Sequence, residues 1–378
     1  MKQIQMVDLG SQYEAIKSEV DQAIQNVIRT SAFINGPEVK EFQKELENYL
    51  GVKHVIPCAN GTDALQIAFM ALGLKPGDEV ITSDFTFAAT VEVIGLLHLV
   101  PVIVDVDPDT FNISVDAIRK AITPKTKAII PVHLFGQCAD MEAILKIAKE
   151  HSIYVVEDTA QAIGATFTFS NGQNSAAGTM GDIGTTSFFP SKNLGCYGDG
   201  GAIYTNDDKL AEIMRSIVNH GMGERYYYER IGVNSRLDSI QAAVLRIKLR
   251  RLNEYAASRN RAASYYDNYF KSFPTVKTPA RAKNSTHVFH QYTLKIEGLN
   301  QFEMQDYLHK KGVPAMIYYP VPIHTQKAYG PENFNHADYP VTNHLCKTVI
   351  SLPMHTELSD EQLAYICESV KEYLEQKS

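Results

Sequence analysis

The sequence predicts an α/β protein: a mostly parallel sheet of about seven strands with helices on both faces, followed by a smaller C-terminal α/β domain. Two patterns carry that prediction. From His54 to Thr205 short apolar runs alternate with helix-patterned segments, and beyond Gly232 the alternation gives way to a long helical stretch. The length agrees, since 378 residues exceed the usual single domain. The chain accordingly divides into residues 1–237, the large unit with its N-terminal segment, and residues 238–378, a bridging helix and the small unit.

An N-terminal helix comes first, then a turn at Phe33-Ile34-Asn35-Gly36-Pro37. A helix follows from about Glu38, with Val39, Phe42, Leu46, Tyr49 and Leu50 on one face and Gly51 as its stop. Strands are expected at His54 to Pro57, Glu79 to Thr82, Val102 to Asp105, Ala128 to Val132, Tyr154 to Glu157, Thr185 to Phe189 and Ala202 to Thr205. Helices are expected at Thr62 to Leu72, Thr86 to Leu97, Val115 to Ala121 and Met141 to His151. The bridging helix runs from Asp238 to about Phe270 with Ile240, Val244 and Ile247 at core spacing, and the small unit takes strands at Gln291 to Ile296 and Val313 to Tyr319.

Composition excludes several classes of function. A net charge of −7 without a dense basic run argues against a nucleic-acid surface, and the short run from Arg246 to Arg251 reads as the polar side of a helix. The five cysteines are scattered with no CxxC, which fits free thiols in a reducing cytoplasm and offers no zinc site. The N-terminal residues lack an apolar signal core, and the most apolar stretch, Val91 to Val106, is broken by His98 and Pro101, so no membrane segment is expected.

The strand ends carry the chemistry, because ligands of parallel sheets gather at the carboxyl ends of strands. Thr185 to Phe189 is a buried strand stopped by Pro190, so Lys192 leaves the sheet at a cleft edge. Desolvation or a nearby positive charge would keep part of its amine neutral and able to form a Schiff base with an aldehyde, of which pyridoxal 5'-phosphate (PLP) is the one to test. A solvated loop lysine is the plain alternative. In Ala59-Asn60-Gly61-Thr62-Asp63 a strand joins a helix, so free N–H groups, the helix dipole and the Thr62 hydroxyl can hold a phosphate, although the same residues also make an ordinary turn and cap. Asp158 follows a buried strand; it suits either a protonated pyridine nitrogen or a helix cap. Phe87 can stack on a planar ring or belong to the core, and the Ser187 hydroxyl can reach a phosphate or a backbone group.

Taken together, the blocks Gly36-Pro37, Asn60-Gly61-Thr62-Asp63-Ala64-Leu65, Glu157-Asp158-Thr159-Ala160-Gln161, Ser187-Phe188-Phe189-Pro190-Ser191-Lys192, Gly232-Val233-Asn234-Ser235-Arg236-Leu237-Asp238 and Tyr319-Pro320-Val321-Pro322-Ile323-His324 resemble, in this order, the DegT/DnrJ/EryC1/StrS family of PLP-dependent sugar aminotransferases. That resemblance covers nearly the whole chain. It implies the PLP-dependent transferase fold type I, as in aspartate aminotransferase, with Lys192 as the Schiff-base lysine and proton carrier. It likewise implies Asp158 as the pyridinium partner, Gln161 near the ring hydroxyl, Thr62, Asp63 and Ser187 on the phosphate side, and Phe87 stacked on the cofactor. Asn234 matches a residue that reaches the phosphate in a neighbouring subunit, which implies a homodimer with shared sites. Arg236, Tyr318, Tyr319 and His324 fall where substrate is contacted.

By the same resemblance, L-glutamate is the amino donor and a nucleotide-linked keto-sugar the acceptor, in a ping-pong sequence. Ser187 to Ala202 together with Met316 to Pro320 is most similar to the branch that aminates C3 of UDP-2-acetamido-2-deoxy-3-oxo-glucuronate for surface polysaccharide. In that reading the Arg236 guanidinium is a natural partner for the uronate carboxylate, with a subunit-interface ion pair as the alternative. Asn193 stands where that branch often has Pro and Ser235 where Gly is usual, the loop from Phe167 to Ala177 is longer, and Tyr318 replaces a His common outside the branch. Three other functions remain open: a C4 aminotransferase acting on a UDP- or dTDP-4-keto-6-deoxy sugar, a dehydratase of the same family, against which Lys192 speaks, and a non-catalytic regulatory protein on the same fold.

Overall fold

The structure, a computed structural model, describes residues 2–377. In chain order the elements are α1 (Leu9–Thr30), α2 (Pro37–Leu50), β1 (His54–Cys58), α3 (Gly61–Leu72), β2 (Glu79–Ser83), α4 (Ala89–Leu96), β3 (Val100–Val104), α5 (Val115–Ala121) and β4 (Thr126–Ile130). They continue with α6 (Met141–His151), β5 (Tyr154–Asp158), the small hairpin β6 (Thr166–Thr168) and β7 (Asn174–Ala176), β8 (Ile183–Ser187), β9 (Gly201–Thr205) and α7 (Asp208–Ile217). The C-terminal part holds α8 (Ser239–Leu249), α9 (Leu252–Phe270), β10 (Val276–Lys277), β11 (Tyr292–Ile296), α10 (Gln301–Lys310), α11 (Pro340–Thr348), β12 (Val349–Leu352) and α12 (Asp360–Lys377).

The large sheet has seven strands in the order β1-β9-β8-β5-β4-β2-β3. Of these only β9 runs against its neighbours, pairing antiparallel with both β1 and β8, while β8, β5, β4, β2 and β3 pair in parallel. A parallel sheet covered on both faces needs apolar residues throughout, and β4, β5 and β9 are buried along almost their whole length. The carboxyl ends of β1, β2, β4, β5 and β8 consequently share one edge, with Asp158 directly beside Thr185.

A second core surrounds the antiparallel sheet β10-β11-β12, where α9, α10 and α12 bury Tyr266, Phe270, Leu308, Ile366 and Val370. Ile4 packs in that core, and Met354 N donates to Met6 O at 3.2 Å, so the residues before α1 lie against the second core. The turn at 33–37 is pinned to the start of α8, since Gly36 N donates to Ser239 Oγ and Ser239 N to Phe33 O.

Three expectations need correction. The bridging helix is two helices broken at Arg250-Arg251: Leu245, Leu249 and Leu252 stay in the core against β9, whereas Ala262, Tyr266 and Phe270 belong to the second core, so the axis must change direction between them. Residues 313–319 form no strand. Val313 and Ala315 sit in the second core, Met316 makes one bridge to Ser351, and Ile317 then crosses to the cluster around Phe85 and Phe135. Lys248 is not on a polar face: it is 1% exposed, with Nζ 4.5 Å from the Tyr197 ring centroid.

Candidate active site

A cavity of about 910 Å³ opens at the carboxyl edge of the large sheet, where the segments after β1, β2, β5 and β8 meet residues 290–291 and 317–320 of the C-terminal part. Nine residues singled out in the sequence line it: Thr62, Asp63, Phe87, Asp158, Gln161, Ser187, Lys192, Tyr318 and Tyr319.

On one side α3 points its N-terminus into the cavity. Asn60 caps it, with Oδ1 accepting from Asp63 N at 2.8 Å, which leaves the Gly61 and Thr62 N–H groups without helical acceptors. Gly61 has a packing reason, because a Cβ there would come within 2.7 Å of Ser187 Cβ; glycine lets the first turn of α3 lie against the end of β8. Ser187 Oγ accepts from Phe189 N at 3.2 Å.

Asp158 ends β5. Its Oδ2 accepts from Thr90 Oγ1 at 2.9 Å and its Oδ1 from Ala160 N at 3.1 Å, so the carboxylate is held at a fixed angle. No helix follows it, which removes the N-cap reading. The neighbouring Glu157 faces away and accepts from the Gly178, Met180 and Gly181 N–H groups and from His133 Nε2, fixing the end of the strand from behind.

Lys192 follows β8 in a turn closed by its own N–H to Phe189 O at 2.8 Å. Burial pushes its amine down to about 8, and the Asp158 carboxylate pulls the other way. Its Nζ has no hydrogen-bond partner among the described residues, and neither does the buried Thr86 Oγ1, which lines the same cavity. Part of the lining is aromatic. Tyr319 stacks on Phe135, with ring centroids 6.5 Å apart, and Gln161 joins the two by donating to Tyr319 Oη at 3.0 Å and accepting from Phe135 N at 2.8 Å.

Three candidates lie elsewhere. His324 is buried outside the cavity, bonded through Nδ1 to Asp84 Oδ2 at 2.7 Å and through Nε2 to His336 at 2.9 Å; it ties the segment after Tyr319 to the loop after β2 and has no ring nitrogen left for substrate. Asn234 is exposed and Arg236 half-buried, and neither lines the cavity. Ser235 between them is buried and accepts from Ala59 N at 3.0 Å, which holds this segment near the α3 turn. Asn193 donates to Val288 O at 3.0 Å, a bond a proline could not make. Sequence reasoning missed Thr90, His290 and Gln291, since nothing local marks a residue whose partner lies far along the chain.

The donor set fits PLP: an orphaned amine of lowered pKa, a carboxylate held in fixed orientation, a helix N-terminus with the Gly61 and Thr62 N–H groups free, and aromatic lining. Fold and site together define a PLP-dependent aminotransferase of fold type I. The comparisons place it further. The chain belongs to the DegT/DnrJ/EryC1/StrS aminotransferase family, whose model matches residues 14–371. It is 46% identical over 364 residues, 96% of this chain and 98% of the other, to a UDP-2-acetamido-2-deoxy-3-oxo-D-glucuronate aminotransferase of Pseudomonas aeruginosa. It is 45% identical over 372 residues, 98% of each chain, to a pleiotropic regulatory protein of Geobacillus stearothermophilus. Among solved structures, the S. venezuelae DesV structure superimposes with a TM-score of 0.94 at 36% identity, over 99% of both chains. The protein is a PLP-dependent sugar aminotransferase.

Proposed function

We propose that the protein transfers the amino group of L-glutamate to C3 of UDP-2-acetamido-2-deoxy-3-oxo-glucuronate for surface polysaccharide, working in the cytoplasm as a homodimer with shared sites. The observation that carries the substrate is the full-length 46% identity to the Pseudomonas aeruginosa enzyme of that activity. Lys192, Asp158, Thr62, Asp63, Gln161, Ser187 and Phe87 would hold the cofactor. When bound, PLP supplies an aldehyde that takes an amine and a ring that accepts the electron pair of a broken C–H bond. Lys192, neutral in a sizeable fraction near pH 8, accepts and returns the proton. Thr90 keeps the Asp158 carboxylate aimed, and the aromatic lining excludes water.

Charge supports the shared site. Asp63, Asp158 and Asp199 line the cavity, and among the described residues Lys192 is the only lysine or arginine that does. A nucleotide diphosphate and a uronate need cations from outside this cavity. Arg236 has no ion-pair partner among the described residues, and Tyr226-Tyr227-Tyr228 and Ile231, the last 84% exposed, come shortly before it in the chain. We place Asn234 and Arg236 at the neighbour's cavity. Five buried free cysteines fit a reducing compartment.

Purified protein, L-glutamate and a panel of UDP-, dTDP- and GDP-keto-sugars, analysed by mass, test the reading; amination of 4-keto-6-deoxy sugars alone would replace the C3 uronate by the C4 acceptor. The name of the Geobacillus relative favours a regulatory role. A protein whose visible cofactor absorbance no amino acid bleaches would support it. Mixing Asn234→Ala and Lys192→Ala variants should restore part of the activity in heterodimers, and complete failure to do so would remove the shared site.

A further inference from the structure

The amino donor must bring a carboxylate next to Lys192, yet among the described residues no arginine of the same chain lines the cavity, and the partner's Arg236 is assigned above to the uronate. The wall beside Lys192 that comes from the C-terminal part is formed by His290 and Gln291, immediately before β11, at 5% and 8% exposure. Neither side chain hydrogen-bonds to any described residue, and His290 Nδ1 is buried without a partner. Both side chains line the cavity, so hydrogen-bonding groups that no described residue uses are open to a ligand there.

The wall is rigid. His290 N donates to Phe135 O and Val288 N to Gly136 O, both at 2.8 Å. Gly136, at φ 110°, leaves no room for a side chain, since a Cβ would sit 2.9 Å from Phe289 N and 3.0 Å from His290 N. The Asn193 bond to Val288 O ties the same segment to the turn that carries Lys192. Behind it, Arg259 is buried and donates only to carbonyls, to Phe289 O at 3.0 Å and Met354 O at 2.9 Å, with no carboxylate partner among the described residues. The charges of Lys192 and Arg259 both act on His290 and, with burial, hold its imidazole neutral. A neutral N–H donor in a positive field suits an anion. The α-carboxylate of an amino acid is one bond from the carbon that bears the amine, so the group that recognises it must lie close to Lys192.

We propose that His290 and Gln291 form the binding site for the α-carboxylate of the amino donor, the imidazole and the amide each donating one hydrogen bond to it. This rests on the aminotransferase reading above but not on glutamate being the donor, since every amino acid carries that carboxylate. The test uses the PLP-loaded protein, with the bleaching of its visible absorbance titrated separately with L-glutamate and with its α-amide, L-isoglutamine. The parent should prefer glutamate; His290→Ala and Gln291→Ala should each weaken glutamate by about 10- to 100-fold and erase most of that preference. Discrimination against the γ-amide, L-glutamine, should persist, and the half-reaction with the nucleotide keto-sugar should keep its rate. Calorimetric binding of 2-oxoglutarate to the aminated form, which should weaken by the same factor, gives a readout independent of turnover. Equal losses for glutamate and isoglutamine, or an equal loss in the sugar half-reaction, would overturn the assignment. If the parent ignores glutamate but accepts another amino acid, the donor assignment falls, and that amino acid and its α-amide decide the carboxylate site in the same way.

Discussion

Desolvation lowers two lysines of this protein, Lys192 and Lys248, to about 8. Lys192 sits in the turn after β8, faces Asp158 and lines the large cavity. Lys248 sits in α8, lies over the Tyr197 ring and does not line that cavity. Desolvation alone makes an amine neutral, but it does not make it useful. What distinguishes Lys192 is space for a ligand and a carboxylate across that space, whereas Lys248 has only a ring face that partly offsets the cost of a buried cation.

The largest expected effect breaks the comparison outright. Lys192→Ala should cut turnover by about a thousandfold or more, in line with removal of the central proton-transfer and covalent group; Lys248→Met should stay within about threefold of the parent in steady-state assays, since it touches neither cavity nor cofactor. Borohydride reduction of the native protein should attach cofactor mass to the peptide containing residue 192 and leave the peptide containing 248 unlabelled. Label on the second peptide would reverse the two roles.

A smaller effect sharpens the difference through pH. In the cofactor-free protein, the rate at which PLP is captured should rise from pH 6 and level off above pH 8 to 9, because Lys192 titrates near 8 rather than at the 10.5 of a free lysine. A rate still climbing tenfold per pH unit at pH 10 would show an amine in ordinary solvent.

The smallest effect concerns stability. Lys248 has a folded pKa near 8, below its unfolded 10.5. Below pH 8 both states are protonated and the folded state bears the whole desolvation cost. From pH 8 to 10.5 the unfolded state binds more protons, so raising pH relieves that cost; above 10.5 both are neutral. Lys248→Met should therefore raise Tm by a few degrees at pH 7, with the gap to the parent narrowing across that window. A gap that stays constant from pH 7 to 10.5 would mean that the lysine is not desolvated.

Local pattern placed the chemistry where the reasoning ran along a single segment. Thr185 and Thr186 are β-branched and lie in the strand β8, but β8 starts at Ile183 and stops at Ser187, so Phe188, Phe189 and Pro190 already belong to the turn; Lys192 and Asp158 still reach the same edge because parallel strands end on the same side. The same logic failed where two segments had to be known at once. His324 lies in a block expected to contact substrate, yet Asp84, far away in the chain, takes its Nδ1. Thr90 aims Asp158 across 68 positions, and the Gly136 contact with His290 spans a still longer stretch of chain.

The sequence by itself determined the order of strands and helices, the strand-end lysine and carboxylate, and the cap that opens α3 to a phosphate. These follow from side-chain periodicity and from residues within a few positions of each other. Only the tertiary structure decided which lysine lines a cavity, that α8 and α9 break at Arg250 to serve two cores, and that His290 and Gln291 share that cavity with Lys192. Burial and a shared cavity are properties of side chains brought together from distant parts of the chain, and no local pattern encodes them.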